Sequence, residues 1–215
     1  MNYTTIIWDF GGVITSSPFE AFNRLEAEKG IPQHSVRKIN SANPDSNAWA
    51  RFERAELDKA GFDDAFAEEA RAIGVDLRGS EVLAVLAGDI RPNMVATLDR
   101  LKSEGFTIAC ITNNVPAGKG AGMAMDDGKA AQVAEIMARF DHIIESSKAG
   151  VRKPDPRIYQ MMYEALDKQP SECVYLDDLG INCKPAAQLG MAAIKVSSEG
   201  QALEDLGALL AMNLP

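Results

Sequence analysis

Five short apolar runs, too short for helices and rich in β-branched residues, constrain this chain more than any other feature. They cover residues 4–8, 107–111, 142–144, 173–176 and 192–196. A continuous apolar run of this length reads as a strand buried on both faces, and such strands belong to parallel sheets with helices packed above and below. The stretches between the later runs supply those helices. Residues 94–104 carry Val95, Leu98 and Leu101 at helical spacing, after an Arg91-Pro92 start signal. Residues 129–140 and 157–166 repeat the pattern. Gly105 and Gly190 fall where helices would end, and Gly150 punctuates the same region. Strand and helix in alternation predict an α/β protein with a three-layer core built on a parallel sheet.

Residues 16–88 break the alternation. No run there reads as a strand, and the apolar residues recur at helical spacing, as in Phe19, Phe22 and Leu25, then Phe62, Phe66 and Ala70. Asp63, Asp64, Glu68 and Glu69 are expected on the solvated face of the second of these helices. The predicted organisation is a core formed by 1–15 and 89–215, with an inserted helical cap at 16–88. Trp49, Phe52 and Phe62 are expected in the packed interior of that insert more than in a pocket. The glycine-rich stretch 117–125 reads as a loop. Gly128-Lys129 is followed by Ala130, not by the Ser or Thr of a nucleotide phosphate loop, and dinucleotide-type glycine spacing is absent.

Composition excludes several functions. Lys and Arg total 22 against 31 Asp and Glu, a formal net charge of −9. Without clustered cations the chain is a poor match for nucleic acid or for an anionic membrane. No apolar run approaches the roughly 18 residues of a membrane span, and residues 1–5 lack the basic start and apolar core of a signal peptide. Cys110, Cys173 and Cys183 lack zinc-type spacing and read as buried thiols of a reducing, cytoplasmic compartment. His34 and His142 are too few for a histidine metal site and are expected at the surface or at helix ends. No Gly-x-Ser-x-Gly elbow supports a serine triad.

In an open parallel sheet, ligands bind beyond the carboxyl ends of the strands. The first strand ends in Trp8-Asp9-Phe10-Gly11-Gly12, the second in Ile111-Thr112-Asn113-Asn114, and a later one in Leu176-Asp177-Asp178-Leu179-Gly180. A basic segment, 148–153, lies upstream of the last. One Asp at a strand end is most simply a helix cap. Three carboxylates, a hydroxyl, an amide and a lysine brought to one edge suit displacement at phosphorus. There a carboxylate attacks while cations screen the transferring group. Magnesium prefers such oxygen ligands, and the Asp177-Asp178 pair suits it.

With these residues in place, the chain resembles the haloacid dehalogenase superfamily. The carriers, in order, are Ile7-Trp8-Asp9-Phe10-Gly11-Gly12-Val13, Ile111-Thr112-Asn113, Arg152-Lys153-Pro154-Asp155-Pro156-Arg157-Ile158-Tyr159 and Tyr175-Leu176-Asp177-Asp178. The stretch from Leu176 to Ala186 is similar to the phosphatase domain of soluble epoxide hydrolases, and bacterial glucose-1-phosphate phosphatases are similar over most of the chain. The resemblance implies a Rossmann-like core with a cap that shapes the substrate pocket. It implies Asp9 as nucleophile and magnesium ligand. Thr112 and Asn113 would then act on phosphoryl oxygens, and Lys153 would neutralise the phosphoryl group and orient Asp9. Asp178 would hold magnesium with Asp177 in support, and Asn182 would reach the same site. A small phosphorylated metabolite is the implied partner.

One position departs from that pattern. Phosphatases of the family carry a second Asp two residues after the nucleophile, which protonates the leaving group and later activates water. Here that residue is Gly11, whose main-chain carbonyl can still ligate magnesium. Two alternatives follow from Gly11: a dehalogenase that displaces halide from carbon, and a catalytically weakened protein that binds a phosphorylated ligand.

Overall fold

The computed structural model describes residues 3–117 and 127–215. The chain begins with β1 (Thr5–Trp8). Five helices follow: α1 (Pro18–Lys29), α2 (Ser35–Ser41), α3 (Ala48–Glu53), α4 (Lys59–Ala72) and α5 (Gly79–Ala84). The alternating part then runs α6 (Pro92–Ser103), β2 (Thr107–Thr112), α7 (Asp127–Met137), β3 (His142–Glu145), α8 (Ser146–Ala149), α9 (Pro156–Ala165), β4 (Cys173–Asp177), α10 (Gly180–Gln188), β5 (Ala192–Lys195) and α11 (Glu199–Leu210).

The five strands form one sheet in the order β3-β2-β1-β4-β5, and every pair is parallel. Successive side chains of a strand point to opposite faces, so each apolar run feeds two layers. Ile6, Trp8, Ile108, Cys110, Val174 and Leu176 pack against Met94 and Leu98 of α6, Ile136 of α7 and Leu206 of α11. Ile7, Ala109, Ile111 and Tyr175 face the other way, onto Ile158 and Met162 of α9 and Ala186 of α10. The expected three-layer α/β architecture is therefore present, and the five expected strands are found with ends shifted by no more than one residue.

The helix after β5 is one that the reading of strand-helix alternation did not anticipate. Its signals are nevertheless in the chain. Ser198 accepts a hydrogen bond from the Gln201 N–H, and Ala202, Leu203 and Leu206 lie on one buried face. Gly105 and Gly190 take positive φ just past the ends of α6 and α10, and Gly150 does the same after α8.

Helices α1–α5 enclose an apolar cluster of their own. Phe22, Val36, Ile39, Phe52, Phe62, Phe66 and Leu83 fill it, and Val115, from the loop after β2, joins them from the sheet side. Phe52 and Phe62 stack with centroids 4.5 Å apart, and Trp49 meets Phe62 edge-on at 5.4 Å. Gly79 lies so close to Phe62 that a Cβ there would stand 2.7 Å from the ring, which fixes α5 against α4. The expected solvated face of α4 holds for Asp64 and Glu68, which are exposed. Asp63 and Glu69 differ, because each is recruited by a neighbouring helix. Asp63 pairs with Arg78 and accepts from the Ser80 N–H at 2.7 Å, while Glu69 accepts from the Ala48 N–H at 2.7 Å.

The two connections between this segment and the sheet run side by side. Thr15 and Ile90 form an antiparallel bridge, Ser16 donates its N–H to Asp89, and Arg91 donates its N–H to Ile14. The three cysteines are buried and unpaired, as expected. Among the described residues, no helix is long and apolar enough to cross a membrane. The Gly118, Gly120 and Gly122 cluster lies outside the described residues.

Phe62 is fully buried at the centre of the aromatic cluster. Phe62→Ala is expected to cost about 3–5 kcal/mol by loss of transfer energy and by cavity formation. Urea unfolding followed by tryptophan fluorescence, with Trp49 as the local reporter, measures this loss.

Candidate active site

Parallel register decides which residues meet at the carboxyl edge. Trp8 aligns with Cys110 of β2 and with Leu176 of β4, so the next residues, Asp9, Ile111 and Asp177, come level. The Asp9 N–H continues the ladder by donating to the Leu176 carbonyl at 2.8 Å. β1 is the central strand, and Asp9 follows its end with little exposure.

Lys153 joins these strand ends from the loop between α8 and α9. Its ammonium is 2.7 Å from Asp9 Oδ1 and 2.8 Å from Asp177 Oδ2, and it donates to the Ile111 carbonyl at 3.0 Å. These contacts use all three ammonium donors. Asp9 Oδ1 also accepts from the Phe10 N–H at 2.7 Å, so both of these donors fall on one oxygen of Asp9.

Asp177 is fully buried and surrounded by donors. Its Oδ2 accepts from Lys153, from the Tyr175 hydroxyl at 2.5 Å and from Asn182 Nδ2 at 3.1 Å. Its Oδ1 accepts from the Leu179 N–H at 2.8 Å and again from Asn182. Tyr159 secures the next layer by donating to the Asn182 carbonyl at 2.8 Å. A carboxylate held in this way is a fixed negative charge for Lys153.

Asp178 is only partly buried, and its Oδ2 accepts from the Ser17 hydroxyl at 3.1 Å. Gly12 makes that approach possible. It has φ +80°, and a Cβ there would stand 2.2 Å from Asp178 Oδ2, so both conformation and space demand glycine. Arg91 braces the same turn by donating to the Gly12 carbonyl at 2.9 Å. Gly11 is different: its φ lies outside the left-handed region, and a Cβ there would meet nothing within 4 Å.

Ligand oxygens of Asp9, Asp177 and Asp178 lie within 4.8 Å of one another. One lysine cannot neutralise three carboxylates. Burial, and then Asp177 and Asp178, push the Asp9 carboxyl well above its ordinary range, although Lys153 pulls it down. Burial and Asp177 push Asp178 up to about 6. Burial opposes the charge on Lys153, but Asp177 and Asp9 outweigh it and hold the ammonium protonated. The surplus negative charge favours a further cation.

Thr112 ends β2 at the same edge and is almost fully buried. The Asn113 amide is occupied by the Lys153 main chain: its Oδ1 accepts from the Lys153 N–H at 2.9 Å, and its Nδ2 donates to the Lys153 carbonyl at 3.0 Å. Asn182, expected at the substrate, donates its Nδ2 to both carboxylate oxygens of Asp177. In this arrangement both asparagines act on the lysine and its counter-ion.

Sequence reasoning missed Glu53, at the end of α3. Its Oε2 is 2.5 Å from Arg152 Nε and 3.4 Å from Asn113 Nδ2, while its Oε1 accepts from Trp49 Nε1 at 2.9 Å. Its carbonyl accepts from the buried Ser146 hydroxyl at 2.8 Å. Glu53 thus ties the five-helix segment to both residues that hold the Lys153 loop. A lone Glu among helical aromatics carries no mark in sequence of so distant a partner. Glu53→Ala would leave the mostly buried Arg152 without its carboxylate, with only the Pro44 carbonyl as acceptor, and is expected to cost about 1–3 kcal/mol. Urea unfolding measures the loss, and faster amide exchange in α3 is expected to accompany it.

A haloacid dehalogenase-like hydrolase family profile matches residues 3–190. The chain therefore belongs to the haloacid dehalogenase-like hydrolases, as the motifs implied. It is 32% identical to mouse acyl-CoA dehydrogenase family member 10 over 99% of this chain and 20% of that protein. It is also 32% identical to mouse bifunctional epoxide hydrolase 2, over 71% of this chain and 28% of that protein. The chain thus spans less than a third of either relative. Among solved structures, a Bacteroides thetaiotaomicron enzyme of the family in complex with magnesium and inorganic phosphate superposes with a TM-score of 0.63. It is 18% identical, over 95% of this chain and 99% of that one. A dehalogenase superposes with a TM-score of 0.68 at 19% identity, over 98% of each chain. At these identities the likeness is one of fold.

Proposed function

We propose that the protein is a magnesium-dependent phosphatase that hydrolyses a small phosphate monoester through an aspartyl-phosphate on Asp9, with residues 16–88 as a cap over the site. The observation that carries this reading is the cluster of Asp9, Asp177 and Asp178 around a single lysine. An all-oxygen donor set with excess negative charge fits magnesium. Asp9, Asp178 and the Gly11 carbonyl would hold it, and when bound it would supply charge neutralisation for the phosphoryl oxygens.

The residues of the chain divide the remaining work. Asp9 Oδ1 is engaged by Lys153 and the Phe10 N–H, which leaves Oδ2 to attack phosphorus. Lys153 stays charged between two carboxylates and faces the transferring group at the attacking end. The Thr112 hydroxyl, at the end of β2, donates to a phosphoryl oxygen. Asp177, with Tyr175 and Asn182 on it, keeps Lys153 aimed. Water then attacks the aspartyl-phosphate and regenerates Asp9. Three buried free thiols support a reducing, cytoplasmic setting for this chemistry.

Gly11 also suits a dehalogenase, which needs no acid for its leaving group. That reaction gives Asp178 no task, however, and it would leave the excess negative charge of the cluster unmatched. Asp9→Asn is expected to lower magnesium-dependent phosphate release by several orders of magnitude while the fold survives. Wild-type activity in that variant, or halide release that persists in a chelator, would remove the phosphatase reading. Magnesium is expected to raise the melting temperature by linkage, and Asp178→Ala is expected to abolish that rise in a thermal melt with and without chelator.

A further inference from the structure

We propose that the site is specialised for activated phosphates, whose leaving oxygen departs as a stable anion, and that the aspartyl-phosphate on Asp9 accumulates because its hydrolysis is the slow step. Acyl, enol and aryl phosphates form the substrate class. This inference rests on the phosphatase reading and deepens it.

Gly11 is the decisive position. An acid/base side chain two residues past the nucleophile would start there, and the space is open, with no heavy atom of the described residues within 4 Å of a Cβ. Elsewhere at the site the proton-carrying groups are committed. Lys153 spends its three donors on Asp9, Asp177 and Ile111. The Tyr175 hydroxyl donates to Asp177. Asp178 is assigned to the metal. Glu53, a carboxylate of the helical segment that contacts Asn113, is held there and by Arg152 and Trp49. His34 is exposed at the start of α2. His142 opens β3, three residues before Glu145, which aligns with Thr112 at the site edge. None of these groups is therefore free to move a proton at the leaving group.

The two half-reactions feel this lack differently. In the first, Asp9 Oδ2 forms a bond to phosphorus, and the bond from phosphorus to the leaving oxygen breaks. The electron pair departs on that oxygen. A carboxylate, enolate or phenolate carries it without help, whereas an alkoxide needs a proton as it leaves. In the second, a water oxygen attacks phosphorus, the Asp9 oxygen takes back its electron pair, and the water proton passes to solvent because none of these groups receives it. A general acid or base typically contributes ~100- to 10,000-fold. Activated donors lose nothing in the first step, so the whole deficit falls on the second and the phosphoenzyme builds up.

The test uses the full chain with magnesium and three probes: p-nitrophenyl phosphate, acetyl phosphate and glycerol 3-phosphate. Acid-quenched samples go to intact-mass analysis, and product release is followed from the first turnover. The expected result is a burst of nitrophenol near one equivalent of protein, together with a gain of one phosphoryl group that is lost in Asp9→Asn. Glycerol 3-phosphate should phosphorylate Asp9 ~100- to 10,000-fold more slowly than the other two probes, and so give no burst. Gly11→Asp should remove the accumulated phosphoenzyme and narrow the gap between donors, and the open space at Gly11 lets the variant fold. Should that variant misfold, the burst and the mass shift of the native chain decide the matter alone. Equal native rates on aryl and alkyl phosphates with no phosphoenzyme would overturn the inference and leave the phosphatase reading intact. No hydrolysis of any probe and no phosphoenzyme would overturn both.

Discussion

A buried ammonium between two carboxylates organises this molecule. Lys153 is 1% exposed, and a lysine taken that far from water is costly unless its charge is met. Asp9 and Asp177 meet it, and they can do so only because β1 and β4 pair in a register that ends both strands at the same height. The requirement spreads outward. Asp177 is itself buried, so it needs Tyr175, Asn182 and the Leu179 N–H. Asn182 is fixed in turn by Tyr159. The loop that delivers the lysine needs Asn113, which grips its main chain on both sides, and Arg152, which Glu53 holds. Much of the polar interior at the carboxyl edge can be traced to this one charge.

The same network links two apolar cores that otherwise pack independently. The helical segment has its own aromatic cluster, and the sheet has a cluster on each face. Val115 and Glu53 cross between them, and both lie within a few residues of the Asn113–Lys153 contact. The helical segment therefore bears both on the carboxylates, through Ser17 on Asp178, and on the loop that carries Lys153, through Glu53. Local stability and site geometry are coupled at that point because buried polar groups tolerate loss of a partner poorly.

Most of the fold was legible because its signals are local. Strand runs such as 107–111 and the spacing of Val95, Leu98 and Leu101 report burial through periodicity, which needs no knowledge of the partner. The strand-end rule then placed Asp9, Thr112, Asp177 and Asp178 on one edge, and the register confirms that placement. What stayed hidden was the division of labour among neighbours. Asn113 and Asn182 stand where a ligand contact is expected, and their hydrogen bonds to Lys153 and Asp177 carry no local mark in the sequence. Asp63 and Glu69 looked solvated on a helical wheel, yet they cap elements brought near by tertiary packing. Glu53 was invisible for the same reason, since Arg152 lies 99 residues away.

Two adjacent glycines show how structure separates constraint from chemistry. In sequence, Gly11 and Gly12 look alike, and either could reflect a backbone that tolerates no side chain. Gly12 meets both conditions, with positive φ and Asp178 pressed against it. Gly11 meets neither. Its backbone lies outside the left-handed region, and the space beside it is open. A carboxylate at Gly11 is thus not excluded by the turn that carries Asp9. That turn, Lys153 and the carboxylate cluster remain intact around it. On the phosphatase reading proposed above, such a site would discriminate among substrates by the proton transfer each requires, before the shape of any pocket is considered.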